Sequence, residues 1–413
     1  MKRGGDLRVP VSGKVIGSLE RDFMHQAVDD GILVGGPWES RFARMLERYI
    51  GYGSHACLCN SGSSANLLAL SALTSPRVPE RWRLKRGDRV ILELSSFPTT
   101  AAPVYQLGLI PVYIDVELGT YNIDTRLLER TLKLEPRAIM IAHTLGNPFH
   151  VDRILAFCAK HNLVLIEDNC DALGSTWRGR KTGSFGLFAT QSFYPAHHIT
   201  TGEGGAVISR NGRLKRIVVS FRDWGRDCWC RPGHDNTCGN RFSGQHGSLP
   251  TGYDHKYVYF HIGYNLKMTE MQAACGVAQM QKLDIFTKAR RTNFWYLYVK
   301  LSAFRRYFIL PVISKQANPS MFGMPLTLKP GVRFTRNNIV EYLNERGIGT
   351  RLLFSGNILR QPAFRREEAY FIDTGAADYI TENSFWVGTW HGLDIRHMNI
   401  IYDAIRHFVE RFG

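Results

Sequence analysis

Four stretches of this chain hold residues whose types and spacing could do chemistry. Asn60 to Leu67 reads NSGSSANL, a glycine turn that passes from a short apolar run into a helix-forming one. Backbone N–H groups at a helix N-terminus bind phosphate, and Gly62 and Ser63 are the natural donors. Ser and Gly are also ordinary helix-start residues. LIEDNCDALGS places Asp168 at the end of an apolar run. A carboxylate there can keep a pyridine nitrogen protonated, because a nearby negative charge favours the cationic form. Capping a neighbouring loop is an equal alternative. SFYPAHHITTGEGGAV, residues 192–207, carries His197 and His198 side by side. Imidazole titrates near neutrality and can act as a general base, although many histidines are only structural. Cys170, Cys228, Cys230 and Cys238 are spaced C-x57-C-x-C-x7-C, the last three within RDCWCRPGHDNTC. Four thiolates are the ordinary complement of a [2Fe–2S] cluster, and zinc held by four cysteines is the generic rival. Phe97, in SSFPTT, could stack on a flat ring or simply fill a core.

The elements that must position these groups follow from periodicity. RVILEL (89–94), IPVYIDV (110–116), AIMIAHTL (138–145) and LVLIED (163–168) are short apolar runs of buried-strand type. Amphipathic stretches lie between them, including SANLLALSALT (64–74) and VDRILAFCAKHN (151–162). The alternation predicts a mostly parallel sheet covered by helices, with ligands beyond the carboxyl ends of its strands. Residues 211–263 break that rhythm and read as a long functional loop. A helix is expected over 268–301. The boundaries drawn are 1–285 for a large cofactor-binding domain that includes the cysteine-rich loop, and 286–413 for a linker helix and a small α/β domain.

Composition excludes several classes. With 44% hydrophobic and 21% charged residues the chain is globular, not disordered. No run approaches the roughly 18 apolar residues of a membrane span, and MKRGGDLRVPVSGKV lacks a signal-peptide centre, so the expected location is the cytoplasm. A net charge of +16 favours anionic partners. Its basic residues are scattered, without the patch that nucleic acid requires. Disulfides are not expected in that compartment, and Cys57, Cys59, Cys158 and Cys275 read as small buried apolar residues.

Together NSGSSANL, SSFPTT, LIEDNCDALGS and SFYPAHHITTGEGGAV resemble the DegT/DnrJ/EryC1/StrS sugar aminotransferases, a family of vitamin B6 enzymes, over roughly residues 20–400. The resemblance implies the aspartate-aminotransferase-like α/β fold (fold type I of the pyridoxal phosphate, PLP, enzymes), usually as a homodimer. It implies that Gly62, Ser63 and Ser192 hold the cofactor phosphate, that Phe97 stacks on the ring and that Asp168 meets its nitrogen. It further implies that Asn265, in GYNLKMTE, reaches the phosphate from the partner subunit, and that Arg351 contacts an anionic nucleotide. The family's cofactor lysine is replaced here by His197. Imidazole cannot form the covalent link that lysine makes to PLP, so the expected cofactor is noncovalent pyridoxamine 5'-phosphate (PMP), with His197 as base and dehydration as the reaction.

The cysteines, with FRDWGRDCWC, DNTC and GYDHKY, resemble the iron–sulfur branch of lysine-free members, 3-dehydrases of the CDP-4-keto-6-deoxyglucose type. That branch implies a nucleotide-linked 4-keto-6-deoxyhexose as substrate (CDP- or TDP-linked), a flavin-containing NAD(P)H reductase as partner, and a place in dideoxysugar synthesis for O-antigen or antibiotic sugars. The rivals are a cluster-free dehydrase whose PMP is rebuilt from glutamate, and a non-enzymatic redox sensor. One argument is geometric: Cys170 lies two residues after Asp168, at most about 7 Å along the chain, so a cluster held by Cys170 would sit near the cofactor. His198 is expected to be structural.

Overall fold

The computed structural model describes residues 8–230, 234–365 and 368–413. The first seven residues of the N-terminal stretch and 231–233 of the cysteine loop lie outside them.

An eight-stranded sheet organises the chain. Its strands follow the order His55–Cys59, Gly205–Ser209, Phe188–Ser192, Val164–Asp168, Ala138–Ala142, Arg89–Glu93, Ile110–Ile114 and Tyr370–Ile372. Gly205–Ser209 runs antiparallel to both its neighbours, and the remaining pairs are parallel. The apolar runs alternate between two covered faces. Val90, Leu92, Met140 and Ile166 join one core cluster; Ile91, Ile139, Ile141 and Leu165 join another on the opposite face. Burying each such side chain contributes roughly 1.5–3 kcal/mol, and two covered faces explain why these strands read as continuous apolar runs.

The register aligns the strand ends that matter. Ser192 pairs with Gly205, which also pairs with Cys59. Asp168 pairs with Thr190 on one side and Ala142 on the other. The carboxyl ends of the parallel strands therefore form one edge, where the predicted ligand groups collect. A second, four-stranded antiparallel sheet (Phe308–Ile309, Gly323–Leu328, Ser384–Gly388, Thr350–Arg351) packs on the helices Leu283–Leu301, Arg336–Glu345 and Ile395–Phe412.

Two expectations change. The irregular segment does not begin at 211, because Gly212–Arg222 is a helix capped by Asn211, whose side chain accepts from Arg213 N and Leu214 N. The helix expected over 268–301 is two helices, Glu270–Met280 and Leu283–Leu301. At the junction Lys282 places its Nζ 2.6 and 2.7 Å from the carboxylate oxygens of buried Glu20. That pairing fixes the break. No helix among the described residues is long and apolar enough to cross a membrane.

Candidate active site

A cavity of about 770 Å³ opens at the carboxyl edge of the large sheet and is walled on its far side by the small one. Gly62, Ser63, Phe97, Asp168, Cys170, Ser192, His197 and Arg351 all line it. Asn265, Cys228, Cys230 and Cys238 do not.

The Gly62 end of the cavity is built by close backbone approach. Ser61 caps the helix Gly62–Leu73 by accepting from Ser64 N at 3.0 Å. The Gly62 and Ser63 N–H groups precede the first intrahelical bond and are left for a ligand. A Cβ on Gly62 would stand 2.5 Å from Ser192 Cβ and 3.1 Å from Cys170 Sγ; one on Gly205 would stand 2.2 Å from Ser61 O. These two glycines let the strand Gly205–Ser209, the capping turn and Ser192 converge.

Asp168 is buried beneath the cavity. Its Oδ2 accepts from Thr100 Oγ1 at 2.7 Å and Asn66 Nδ2 at 2.9 Å, and its Oδ1 accepts from Cys170 N at 3.1 Å. The capping alternative is therefore partly realised, yet the carboxylate lines the cavity with acceptor capacity to spare. Phe97 is not a core residue: it is 53% exposed and meets Phe354 edge-on at 6.1 Å. Arg351, on the short strand Thr350–Arg351, is exposed and held by its Nη1 donating to Thr350 O.

His197 faces the cavity with its Nδ1 3.4 Å from Asp171 Oδ1, both side chains 15% exposed. Nδ1 has no aligned hydrogen-bond partner; loose contacts of this kind are common before substrate binds. The backbone beneath is held firmly: buried Arg290 donates to the carbonyls of His197 (2.9 Å), Ala196 (3.3 Å) and Phe322 (3.2 Å). Burial pulls the Arg290 guanidinium down to about 9, with Asp171 opposing that shift. His198 is structural, as expected. It is wholly buried, and its Nε2 lies 2.8 Å from Ser320 O, so Nε2 carries the proton. Burial, reinforced by Arg290, keeps this imidazole neutral well below its usual range.

Sequence reasoning missed Asn66, Thr100 and Asp171. Asn66 and Asp171 lay within the quoted motifs, one helical turn past Gly62 and three residues past Asp168. Thr100 closes SSFPTT. The far wall, Phe322 against Trp386 with ring centroids 5.4 Å apart, left no local signal.

Cys228, Cys230 and Cys238 come together, with all three Sγ atoms within 4.8 Å of one another, the one such group of potential metal ligands among the described residues. Burial holds the Cys228 thiol up at about 11. For Cys230 burial is outweighed by hydrogen bonds with Thr237 and Cys238, which bring it down to about 7. Cys170 is outside this group. Its thiol is raised well above the usual value by burial and then by Asp168.

The residues at the cavity suit a phosphorylated pyridine: N–H donors at a helix start, a carboxylate for a ring nitrogen, an aromatic at the mouth and a facing imidazole. Among the described residues no lysine lines the cavity. The lipopolysaccharide biosynthesis protein RfbH of Salmonella typhimurium is 50% identical over 406 residues, 98% of this chain and 92% of that protein. The dTDP-4-dehydro-2,6-dideoxy-D-glucose 3-dehydratase of Saccharopolyspora spinosa is 47% identical over 408 residues, 98% of this chain and 88% of that enzyme. A solved structure of GDP-4-keto-6-deoxymannose-3-dehydratase with a trapped PLP-glutamate geminal diamine superposes with a TM-score of 0.83 at 26% identity, covering 96% of this chain and 100% of that one. The family model of the DegT/DnrJ/EryC1/StrS aminotransferases matches residues 15–406, and the chain belongs to that family, with its PLP fold type I architecture.

Proposed function

We propose that this chain is a PMP-dependent 3-dehydrase of a nucleotide-linked 4-keto-6-deoxyhexose. One observation carries the reading: the cavity is lined by a glycine helix start, a buried carboxylate and an imidazole, with no lysine among the described residues that line it. Without lysine there is no covalent anchor for the aldehyde form of the cofactor. When bound, PMP supplies an amine that condenses with a ketone and a ring that delocalises the electron pair left by proton removal.

The chain's own groups do the rest. Gly62 and Ser63 N–H, with Ser192, hold the phosphate. Asp168, itself held by Asn66 and Thr100, would keep the ring nitrogen protonated. Phe97 covers the ring. With PMP bound, His197 would take the proton at the cofactor methylene as the sugar's C3 hydroxyl leaves. Asp171 positions that imidazole and stabilises its charge once the proton has arrived. Arg351 meets the nucleoside diphosphate. Asn265 is assigned to the partner subunit's phosphate site in a homodimer. The division at residues 285 and 286 is kept as the proposed domain boundary.

Cys228, Cys230 and Cys238 are assigned to a [2Fe–2S] cluster, a one-electron carrier served by a flavin-containing NAD(P)H reductase. The gathering of these three thiols supports this assignment. A second reading has its own support: the superposed 3-dehydratase carries a PLP–glutamate adduct, consistent with a cluster-free enzyme whose PMP is rebuilt from glutamate.

The test is anaerobic turnover of CDP- and dTDP-4-keto-6-deoxyglucose with PMP, comparing reductase plus NADH against glutamate, read by product mass. Loss of the C3 oxygen with reductase supports the proposal. Turnover with glutamate alone supports the second reading, and no loss of oxygen under either condition refutes dehydration. His197→Asn is expected to lower the rate ~10²–10⁴-fold, the usual contribution of a positioned base, while PMP still binds.

A further inference from the structure

Three gathered thiols are one short of the complement of a [2Fe–2S] cluster, and the fold shows why Cys170 is not beside them. Cys170 stands at the start of the helix Gly62–Leu73, with its Sγ 3.1 Å from where a Gly62 Cβ would be. That helix has 12 residues and is therefore ~18 Å long. Residues 258–266 run back along it. Leu266 O accepts from Asn60 N at the cavity end, Tyr264 Oη lies 3.3 Å from Ser71 Oγ near the other end, and His261 Nε2 lies 2.7 Å from Ser75 Oγ just past it.

The cysteine loop is fastened beyond that point. Asp227, the residue before Cys228, is paired with Arg77 and donates its N–H to Val258 O at 2.8 Å. His255 Nε2 lies 2.9 Å from Asp227 Oδ2, and His255 Nδ1 lies 3.9 Å from Cys238 Sγ. The three sulfurs and Cys170 thus occupy opposite ends of one buried helix. Bringing them together within one chain would require releasing these contacts and carrying the loop back along the length of the helix.

We infer that the metal site is completed across two copies of the chain, the cysteine loop of one protomer meeting Cys170 of the partner subunit. The surface beside the loop supports a second copy as its occupant. Trp229, Tyr257, Tyr259 and Phe260 are 42–55% exposed and Ile262 is 97% exposed. Exposed aromatic residues of this kind are enriched at interfaces. The shared arrangement also restores what the separation removes, because a cluster at the partner's Cys170 lies two residues from the partner's Asp168 and so beside the cofactor cavity.

This inference rests on the proposed function in one respect, that the loop binds an iron–sulfur cluster. The experiment is complementation between differently tagged variants. Cys170→Ser and Cys230→Ser are purified as homodimers, and are also co-expressed and isolated as the heterodimer by tandem affinity steps. Iron and sulfide content and the visible spectrum are read after anaerobic reconstitution, independently of turnover. Both homodimers are expected to be free of cluster. The heterodimer is expected to carry half the wild-type iron, since one intact set survives, made from the loop of the Cys170→Ser protomer and the Cys170 of the other. A heterodimer without iron beside a loaded wild type overturns the shared geometry alone. So does a Cys170→Ser homodimer that keeps its full cluster, which would point to a ligand such as His255. A wild-type chain that takes up no cluster refutes the iron–sulfur assignment and the shared site with it.

Discussion

Gly62→Ala tests the construction of the phosphate end. The added methyl would stand 2.5 Å from Ser192 Cβ, 3.0 Å from Ser192 Oγ and 3.1 Å from Cys170 Sγ. Carbon atoms prefer about 3.5–4.0 Å, so the helix start and the strand end must separate by about 1 Å. Overpacking of this kind costs roughly 1–3 kcal/mol of stability. The larger effect is on the ligand, because the same separation draws the Gly62 and Ser63 N–H groups away from Ser192. Losing one hydrogen bond to a charged phosphate costs about 1.5–3 kcal/mol, which is a factor of roughly 10–150 in affinity. PMP titration by intrinsic fluorescence reads that factor, and thermal melting reads the stability cost. In Gly62→Ala/Ser192→Gly the Cβ–Cβ clash is gone, so the melting temperature should recover while affinity stays low for want of the Ser192 hydroxyl. If Gly62→Ala bound PMP within about threefold of wild type, far inside the 1.4 kcal/mol that a tenfold loss represents, the convergence would not be forming the phosphate site.

Asp171→Asn should lower kcat by about tenfold or more, as expected when a charge-assisted contact of about 1.5–3 kcal/mol is lost, while KM and PMP affinity stay near wild type. Asp171→Glu should recover part of the rate, and equal losses in kcat and PMP affinity would make Asp171 merely structural. Stability should fall as pH drops below about 6.5. His198 is held neutral by burial, and burial brings His391 down to about 3 and His261 to about 4. Below that pH the unfolded chain takes protons that these folded-state histidines refuse, so each contributes a loss of up to about 1.4 kcal/mol per pH unit, less for half-buried His261. Buried Glu93, raised by burial to about 8, has the opposite sign and offsets part of this loss down to its ordinary value of 4.5; the loss from the histidines continues down to each folded value. Urea midpoints between about pH 7 and 4 measure it, and a flat profile would contradict the burial argument.

The strands were legible because each carries its signal locally: RVILEL and LVLIED are apolar on both faces, and the observed strands end within one residue of those runs. The positions of the turn at Gly62 and of Asp168 were legible for the same reason, lying where a strand must stop. Gly212–Arg222 was obscured by the glycine- and cysteine-rich stretch after it, although Asn211 is a good cap. The break before Leu283 depends on Glu20, 262 residues from Lys282 in sequence, and no local pattern could report it. Thr100 and Asp171 meet Asp168 and His197 only in the folded chain, across 68 and 26 residues of sequence. The inference that a cluster would adjoin the cofactor treated Cys170 and the other three cysteines as one group; within a single chain the helix Gly62–Leu73 divides them.

The edge strand of the large sheet has a consequence for how the protein is made. Tyr370–Ile372 pairs in parallel with Ile110–Ile114, and Val9 bridges to Ile348. During synthesis the strand IPVYI therefore emerges about 250 residues before its outer partner. For that interval it presents an open, apolar, β-branched edge, the kind of surface that pairs with other nascent chains. Closing it requires contacts of very long sequence separation, which form slowly. Truncation anywhere before residue 370 would leave that edge permanently uncovered, so fragments ending there should aggregate on the ribosome's timescale even though most of the cavity's residues have already been made.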